Sequence, residues 1–309
     1  MDKKFKTIEE QIEILKSRNM LIENYDKAHE ILRKNNYYYI INGYKELFLD
    51  KTAKTEKYVD NTKIEELYEL YQFDKKIKIN FLKYILIIEN EIDTYLAYEF
   101  SKTYGHKNYL IPENFNNTKS NSQLVEKFIN NVNLEIEHQY KNDNKMIAHY
   151  INKYQYIPLW VLIRIISFGK MSKFYSLMKQ KEQNEISRKY NLKSRELKIM
   201  LHNLTIIRNI CAHDEKLYDV KMNSRIFSTK YHKKLKIENK NGNYLYGTRD
   251  LFSIVIVLKI LLEDKEFYNF YKMLIKDIEQ LRKTIITVKS NIILKEMGFP
   301  NNYKKLLKI

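Results

Sequence analysis

An all-α fold is predicted for this 309-residue chain by three features. Glycine and proline are scarce, at 6 and 3 residues, whereas a many-stranded sandwich or barrel needs a turn every few residues. Apolar residues recur at helical spacing over a long central stretch. Hydrophobic residues make up 44% of the chain, enough for a sizeable core and too many for a disordered tail.

The elements follow in order. Thr7 with Glu10 three residues on forms a capping-box pattern, and Ile8, Ile12 and Leu15 fall on one face, predicting a helix over Thr7 to Arg18. Asn19 suits the left-handed residue that ends it. A second helix is expected over Tyr25 to Lys34, leading into the cluster Tyr37, Tyr38, Tyr39 and Tyr44, most of which are expected in the core. The polar run Asp50 to Lys63 reads as a loop. From Asp74 to Tyr104 a stripe of Ile77, Phe81, Tyr84, Ile85, Ile88, Ile92, Tyr95 and Leu96 predicts one long helix. Asn108 to Ser122 is loop-like, and further helices are expected over Ser122–Tyr140, Trp160–Lys179, Ser194–Ala212, Arg249–Leu262 and Phe267–Lys289. The stretch Lys216 to Gly247 breaks the pattern. There Leu235 and Ile237 alternate with charged residues, Asn241-Gly242 supplies a turn, and Tyr244 and Tyr246 alternate again, so a β-hairpin is expected.

Lys plus Arg number 55 and Asp plus Glu 38, a formal charge of +17. An AT-rich codon bias favours Glu as much as Lys and does not explain the surplus. Such an excess points to a polyanion, nucleic acid first and an anionic membrane surface second. The N-terminal MDKKFKTIEEQ lacks the apolar centre of a signal peptide. The most apolar stretch, Leu251 to Leu262, contains Lys259 and falls short of the ~20 residues that span a bilayer. The single cysteine, Cys211, allows no intrachain disulfide and fits a reducing compartment. A cytoplasmic protein without a membrane span is expected.

The segment Arg208-Asn209-Ile210-Cys211-Ala212-His213 carries the candidate chemistry. Its helix arrives with Leu197, Leu201, Leu204 and Ile207 on the buried face, and the stripe then gives way to a guanidinium, an amide and an imidazole. An imidazole with a pKa near ~6.5 can take the proton of a 2′-hydroxyl or give one to a leaving 5′-oxygen. A guanidinium offers paired donors to phosphoryl oxygens as charge builds on them. At about 100° per residue, Asn209 and His213 lie within about 40° of each other, whereas Arg208 and His213 are about 140° apart. Arg208 and His213 therefore do not share a helix face. They meet if the helix ends near His213, or if two copies of the chain face each other; a homodimer would also supply two histidines, one as base and one as acid. The spacing alone is equally that of an ordinary helix end with a capping histidine. A second Arg-to-His match, Arg225 to His232, reads as chance.

The segment RNICAH is similar to the RNxxxH signature of the HEPN superfamily of helical ribonucleases. The chain as a whole resembles the Abi-like abortive-infection proteins of the AbiD/AbiF type. Besides RNICAHDEKLYD, the resemblance is carried by EEQIEILKSRNM, YYYIINGYKELF, YQFDKKIKINFLKYILIIENEI and IPLWVLIRIISFGKMSKFYSLM, in matching order and spacing. The chain departs from the family at Asn19, where members carry Gly, and at Arg164, where they often carry an acid. The resemblance implies a HEPN-like helical bundle over residues 71–309, with the hairpin insert at about 216–248, preceded by a small N-terminal helical region over residues 1–70. It implies an anti-phage toxin that cleaves RNA without metal or cofactor, with His213 as general acid or base, Arg208 as phosphate stabiliser and Asn209 as positioning residue. It also implies RNA as partner, both as substrate and as a structured noncoding RNA that restrains the toxin. The alternative is a non-catalytic RNA- or DNA-binding regulator on the same scaffold.

Other residues have ordinary readings. Glu89, Glu91 and Asp93 fit a solvated helix face better than a metal site, while Glu89 beside the apolar stripe is placed to orient Arg208 through an ion pair. Cys211 reads as a small buried residue rather than a nucleophile. The seven histidines show no zinc-ligand spacing. Trp160 and Gly169 are expected to serve helix packing. Lys230, Lys233, Lys234, Lys236 and Lys240, around the hairpin, are the candidate RNA contacts, against the simple reading of a solvated loop.

Overall fold

The first helix, α1 (Ile8–Ser17), begins where the capping box places it. The Thr7 hydroxyl accepts the Glu10 N–H, and the Glu10 carboxylate accepts the Thr7 N–H. Ile12 and Leu15 are buried, and Asn19 follows the helix in the left-handed conformation at φ 72°. The second helix, α2 (Tyr25–Lys34), is capped by Asn24, whose side-chain oxygen accepts the Lys27 N–H at 2.9 Å. The computed structural model describes residues 4–309.

After α2 the chain makes a π-helical turn over Tyr38–Asn42. Tyr44 is buried, but Tyr38 and Tyr39 are exposed, so the tyrosine cluster is not mostly core. The turn places the two rings outward while Ile40 and Ile41 fill the core beneath.

The long helix α3 (Ile64–Tyr104) starts well before the expected Asp74 and has 41 residues, roughly 60 Å at 1.5 Å per residue. Its buried face adds Ile64, Leu67 and Leu70 to the apolar stripe. The boundary expected at residue 70 therefore falls inside a continuous helix. One core cluster runs without interruption from Ile12 to Leu306, so the N-terminal helices pack onto the rest rather than forming a separate core.

Next come α4 (Ser122–Lys141), α5 (Lys145–Tyr154), α6 (Leu159–Leu162), α7 (Phe168–Leu177), α8 (Gln180–Arg188) and α9 (Ser194–Ala212). The single helix expected over Trp160–Lys179 is split. The run Val161, Ile163, Ile165, Ile166 is β-branched and a weak helix former, and Ser167 turns extended to cap α7 through the Lys170 N–H. Where α7 crosses α9, Gly169 lets the helices approach, because a Cβ there would sit 3.3 Å from the Thr205 methyl.

The insert contains α10 (Lys230–Lys234) and a hairpin of only two residues per strand, β1 (Asn239–Lys240) and β2 (Asn243–Tyr244). Asn241 and Gly242 both have positive φ, 51° and 82°, as the two-residue turn requires. Leu235 and Ile237 are buried before the strands begin, so their alternation reflects core contact rather than pairing.

Three helices complete the chain: α11 (Leu251–Leu261), α12 (Asp264–Thr284) and α13 (Ser290–Glu296). The helix expected to reach Lys289 stops at Thr284. There the buried Glu66 carboxylate accepts the N–H groups of Ile286 and Thr287 at 2.6 and 2.9 Å, and these would otherwise continue the helix. In the assembled fold α3 is the axis, packed by α12, α9, α8, α6, α7 and α11. Phe81 meets Phe270 of α12 and Phe100 meets Phe174 of α7, both edge to face with centroids 5.0 Å apart. Among the described residues no helix is long and apolar enough to cross a membrane.

Candidate functional site

The candidate site is built on the C-terminal turn of α9 and the middle of α3. Leu197, Leu201, Leu204 and Ile207 anchor α9 in the core. This leaves Arg208 half-buried and Asn209 and His213 exposed. His213 is the last residue in line with the helix, its N–H donating to the Asn209 carbonyl at 2.9 Å. Asp214 then adopts the left-handed conformation at φ 57°, and the Glu215 N–H returns to the Ile210 carbonyl at 3.0 Å, closing a Schellman-type end.

An aspartate in that conformation is uncommon without support. Here α3 supplies it. The buried Lys78 ammonium donates to the Asp214 carboxylate at 2.5 Å and to its carbonyl at 3.3 Å, and lies 3.4 Å from Asp74. Asp74, fully buried, accepts the Tyr44 hydroxyl at 2.8 Å, the Leu217 N–H at 3.2 Å and the Tyr218 N–H at 2.7 Å. The Asp74–Lys78 pair thus clamps the chain on the far side of His213. Sequence reasoning passed over both residues. The available signal was a pair of opposite charges four residues apart, flanking Ile77 inside the apolar stripe.

Arg208 points toward α3, where its Nε lies 3.7 Å from Glu89 Oε2. That distance is too long for a hydrogen bond, and both atoms are buried without a hydrogen-bond partner. They line a cleft of about 490 Å³ together with Asp93, Glu135, Arg164 and Lys170. Lys170 is paired with Glu135 at 2.5 Å. Asp93 is 8% exposed and its Oδ1 is also unpartnered. Burial, with the Glu89 carboxylate one turn away, pushes the Asp93 carboxyl up to about 8 against the opposing charge of Arg164. Burial also raises Glu89, opposed by Arg208. The solvated face expected for Glu89 and Asp93 is therefore corrected: both are drawn inward because α6, α7 and α9 pack over that side of α3.

The structure brings Arg208, Glu89 and Asp93 to one cleft, and His213 is not among the residues that line it. Asn209 and His213 lie on exposed surface at the helix end. Within one chain, guanidinium and imidazole thus lie on different surfaces, in keeping with the helical angle between them.

The remaining candidates fall elsewhere. Lys230, Lys233, Lys234, Lys236 and Lys240 are all exposed around the hairpin, Lys240 pairing with Glu238 at 3.3 Å. His232 is buried, with Nε2 2.8 Å from the Gly247 carbonyl and Nδ1 accepting the Thr229 N–H at 3.0 Å. Burial lowers its pKa, and it is a structural residue of the insert. Cys211 is half-buried, and burial pushes its thiol up to about 12, far from a reactive thiolate. Trp160 is 51% exposed and faces solvent beside α3, which corrects the expectation that it anchors helix packing. Its place on the four-residue α6, just after Pro158, turns the ring outward while Leu159, Val161 and Leu162 enter the core.

A family model described as Abi-like protein matches residues 30–219, a span that runs from the second half of α2 through α9 and includes the whole Arg208–His213 segment. No curated protein and no solved structure gives a match.

Proposed function

The chain belongs to the Abi-like protein family, which supports an abortive-infection role, and from this premise we propose that it is a toxin of the HEPN type that cleaves RNA without a metal ion. The observation that carries the reading is the exposed imidazole of His213 on a helix end clamped by Asp74 and Lys78, five residues from a guanidinium that lines an open cleft.

Because Arg208 and His213 serve different surfaces of one chain, the working site forms between two copies. Arg208 of one protomer and the partner's His213 flank one phosphodiester. The imidazole removes the 2′-hydroxyl proton. The 2′-oxygen attacks phosphorus, the bond to the 5′-oxygen breaks, and the proton is returned to that oxygen. Arg208 donates to the phosphoryl oxygens as negative charge grows, and the Asn209 amide orients the ribose or the imidazole. Glu89 fixes the guanidinium without quenching it, since their contact is an ion pair longer than a hydrogen bond. The surplus of +17 and the exposed lysines of the insert favour a polyanionic substrate and suit a structured RNA as the restraining partner.

Attack by the neighbouring 2′-oxygen needs no metal-bound water, which fixes the products. Purified protein incubated with single-stranded RNA in excess chelator is expected to leave 2′,3′-cyclic phosphate and 5′-hydroxyl ends. Ends bearing 3′-hydroxyl and 5′-phosphate, or cleavage that stops with chelator, would contradict the mechanism. Binding of RNA with no cleavage at all would instead favour the non-catalytic regulator.

A further inference from the structure

Beside the charged cleft lies a second, apolar groove of about 670 Å³ that the nuclease reading leaves unused. It shares Asn90, Ile163 and Arg164 with the first cleft, so the two form one continuous channel along α3. Tyr98 and Trp160 line it and are 62% and 51% exposed, each presenting a large flat ring to water. Their setting is ordered. The Trp160 indole rests 5.3 Å from the His106 ring, and His106 Nε2 lies 3.2 Å from the Tyr156 hydroxyl. The His106 carbonyl accepts the Leu159 N–H at 2.8 Å, tying α6 to the end of α3.

The groove's polar features select its occupant. No carboxylate lines it, whereas Lys102 and Arg164 do. Lys102 Nζ sits 5.9 Å from the Tyr98 ring centre, and Lys107 Nζ 5.5 Å from that of Tyr156. The Ser101 hydroxyl is buried at the wall with no hydrogen-bond partner. A flat π face, a hydrogen-bonding edge and negative charge nearby describe one ligand, the base of a nucleotide in an unpaired strand. An apolar helix of a protein would fill the groove but offer no charge to Arg164 or to Lys102, whose exposed ammonium has only a 3.8 Å contact with Glu99.

We propose that the groove between Tyr98 and Trp160 is a nucleobase subsite, which takes an unpaired base of the RNA strand whose phosphates cross Arg164 and Arg208. This rests on the nuclease reading and makes its substrate single-stranded. From Glu89 to Tyr98 the channel covers about 14 Å along α3, so one strand reaches both places. Duplex RNA keeps its bases stacked inside the helix and offers no free face to the groove.

Trp160 is the only tryptophan of the chain, so its emission reports on this groove alone. The test titrates His213→Ala protein with a mixed-sequence single-stranded RNA and with the same strand annealed to its complement. The single strand is expected to quench Trp160 emission saturably and the duplex to leave it unchanged. Binding of a labelled single strand, followed by anisotropy, is expected to weaken at least about fivefold in Tyr98→Ala and in Trp160→Ala. Both side chains are exposed, so neither change threatens the fold. RNA that binds all of these proteins equally with emission unchanged overturns the subsite while leaving the nuclease reading standing. RNA that does not bind overturns the subsite as well. An emission change that follows protein concentration without RNA assigns the groove to a second copy of the chain and overturns it too. The nuclease reading fails separately, if wild-type protein cuts no RNA.

Discussion

His213→Ala is expected to lower RNA cleavage by about 10²- to 10⁴-fold, the range over which a positioned acid or base contributes. Growth arrest on expression should disappear with it. The folded protein should survive the change. The imidazole is exposed on the last turn of α9 and buries nothing, and what its loss removes is at most a helix-end interaction of about 1 kcal/mol. RNA affinity should persist, because Arg208, proposed to meet the phosphate, and the exposed lysines are untouched. Cleavage rate on a defined single strand, read beside thermal stability and binding, checks all three points. Wild-type cleavage by the variant would remove His213 from the mechanism.

Asp74→Ala should unfold the protein more readily than any surface change, by about 3–5 kcal/mol. That is the expected loss when one partner of a buried ion pair is removed and the other charge stays behind. Lys78, itself buried, is then left with the largely exposed Asp214 carboxylate as its ion-pair partner. In addition, the N–H groups of Leu217 and Tyr218 and the Tyr44 hydroxyl lose their common acceptor in a closed interior. Asp74→Asn keeps an acceptor of the same shape and should fall between the two. Because the clamp holds Asp214, the segment following His213 should loosen in both variants, and activity should fall further than the unfolded fraction accounts for. Denaturant unfolding monitored by circular dichroism, with activity measured well below the midpoint, checks this. A midpoint equal to that of the wild type would show that the network is not what fixes the helix end.

Where local chemistry decides the structure, the sequence told it directly. The capping box at Thr7, the extent of α2 and both ends of α9 were legible because caps and amphipathic spacing are properties of adjacent residues. The helical angle between Arg208 and His213 was legible for the same reason, and it already excluded a shared helix face. What was not legible depends on contacts far apart in the chain. Glu66 stops α12 from more than two hundred residues away. Asp74 and Lys78 hold the end of α9 from 136 to 144 residues away, and only the folded structure brings them together. Helix α8, QKEQNEISR, was missed because so polar a segment becomes helical only when Ile186 and Gln183 find the core. The break at Ser167 was missed because a run of aliphatic residues reads as a helix until its β-branched members are counted against it. That break forms a wall of the cleft holding Arg208, so the least legible turn in this part of the chain is also one that shapes the site.

The proposed mechanism needs two copies of the chain to build each pocket, and mixing two dead variants tests this most directly. Arg208→Ala and His213→Ala are each expected to be inactive alone. Unfolded and refolded together in equal amounts, they should recover about a quarter of the wild-type rate, because half the dimers are mixed and each mixed dimer holds one intact pocket. Mixed dimers that form and remain as inactive as either parent would contradict a shared pocket.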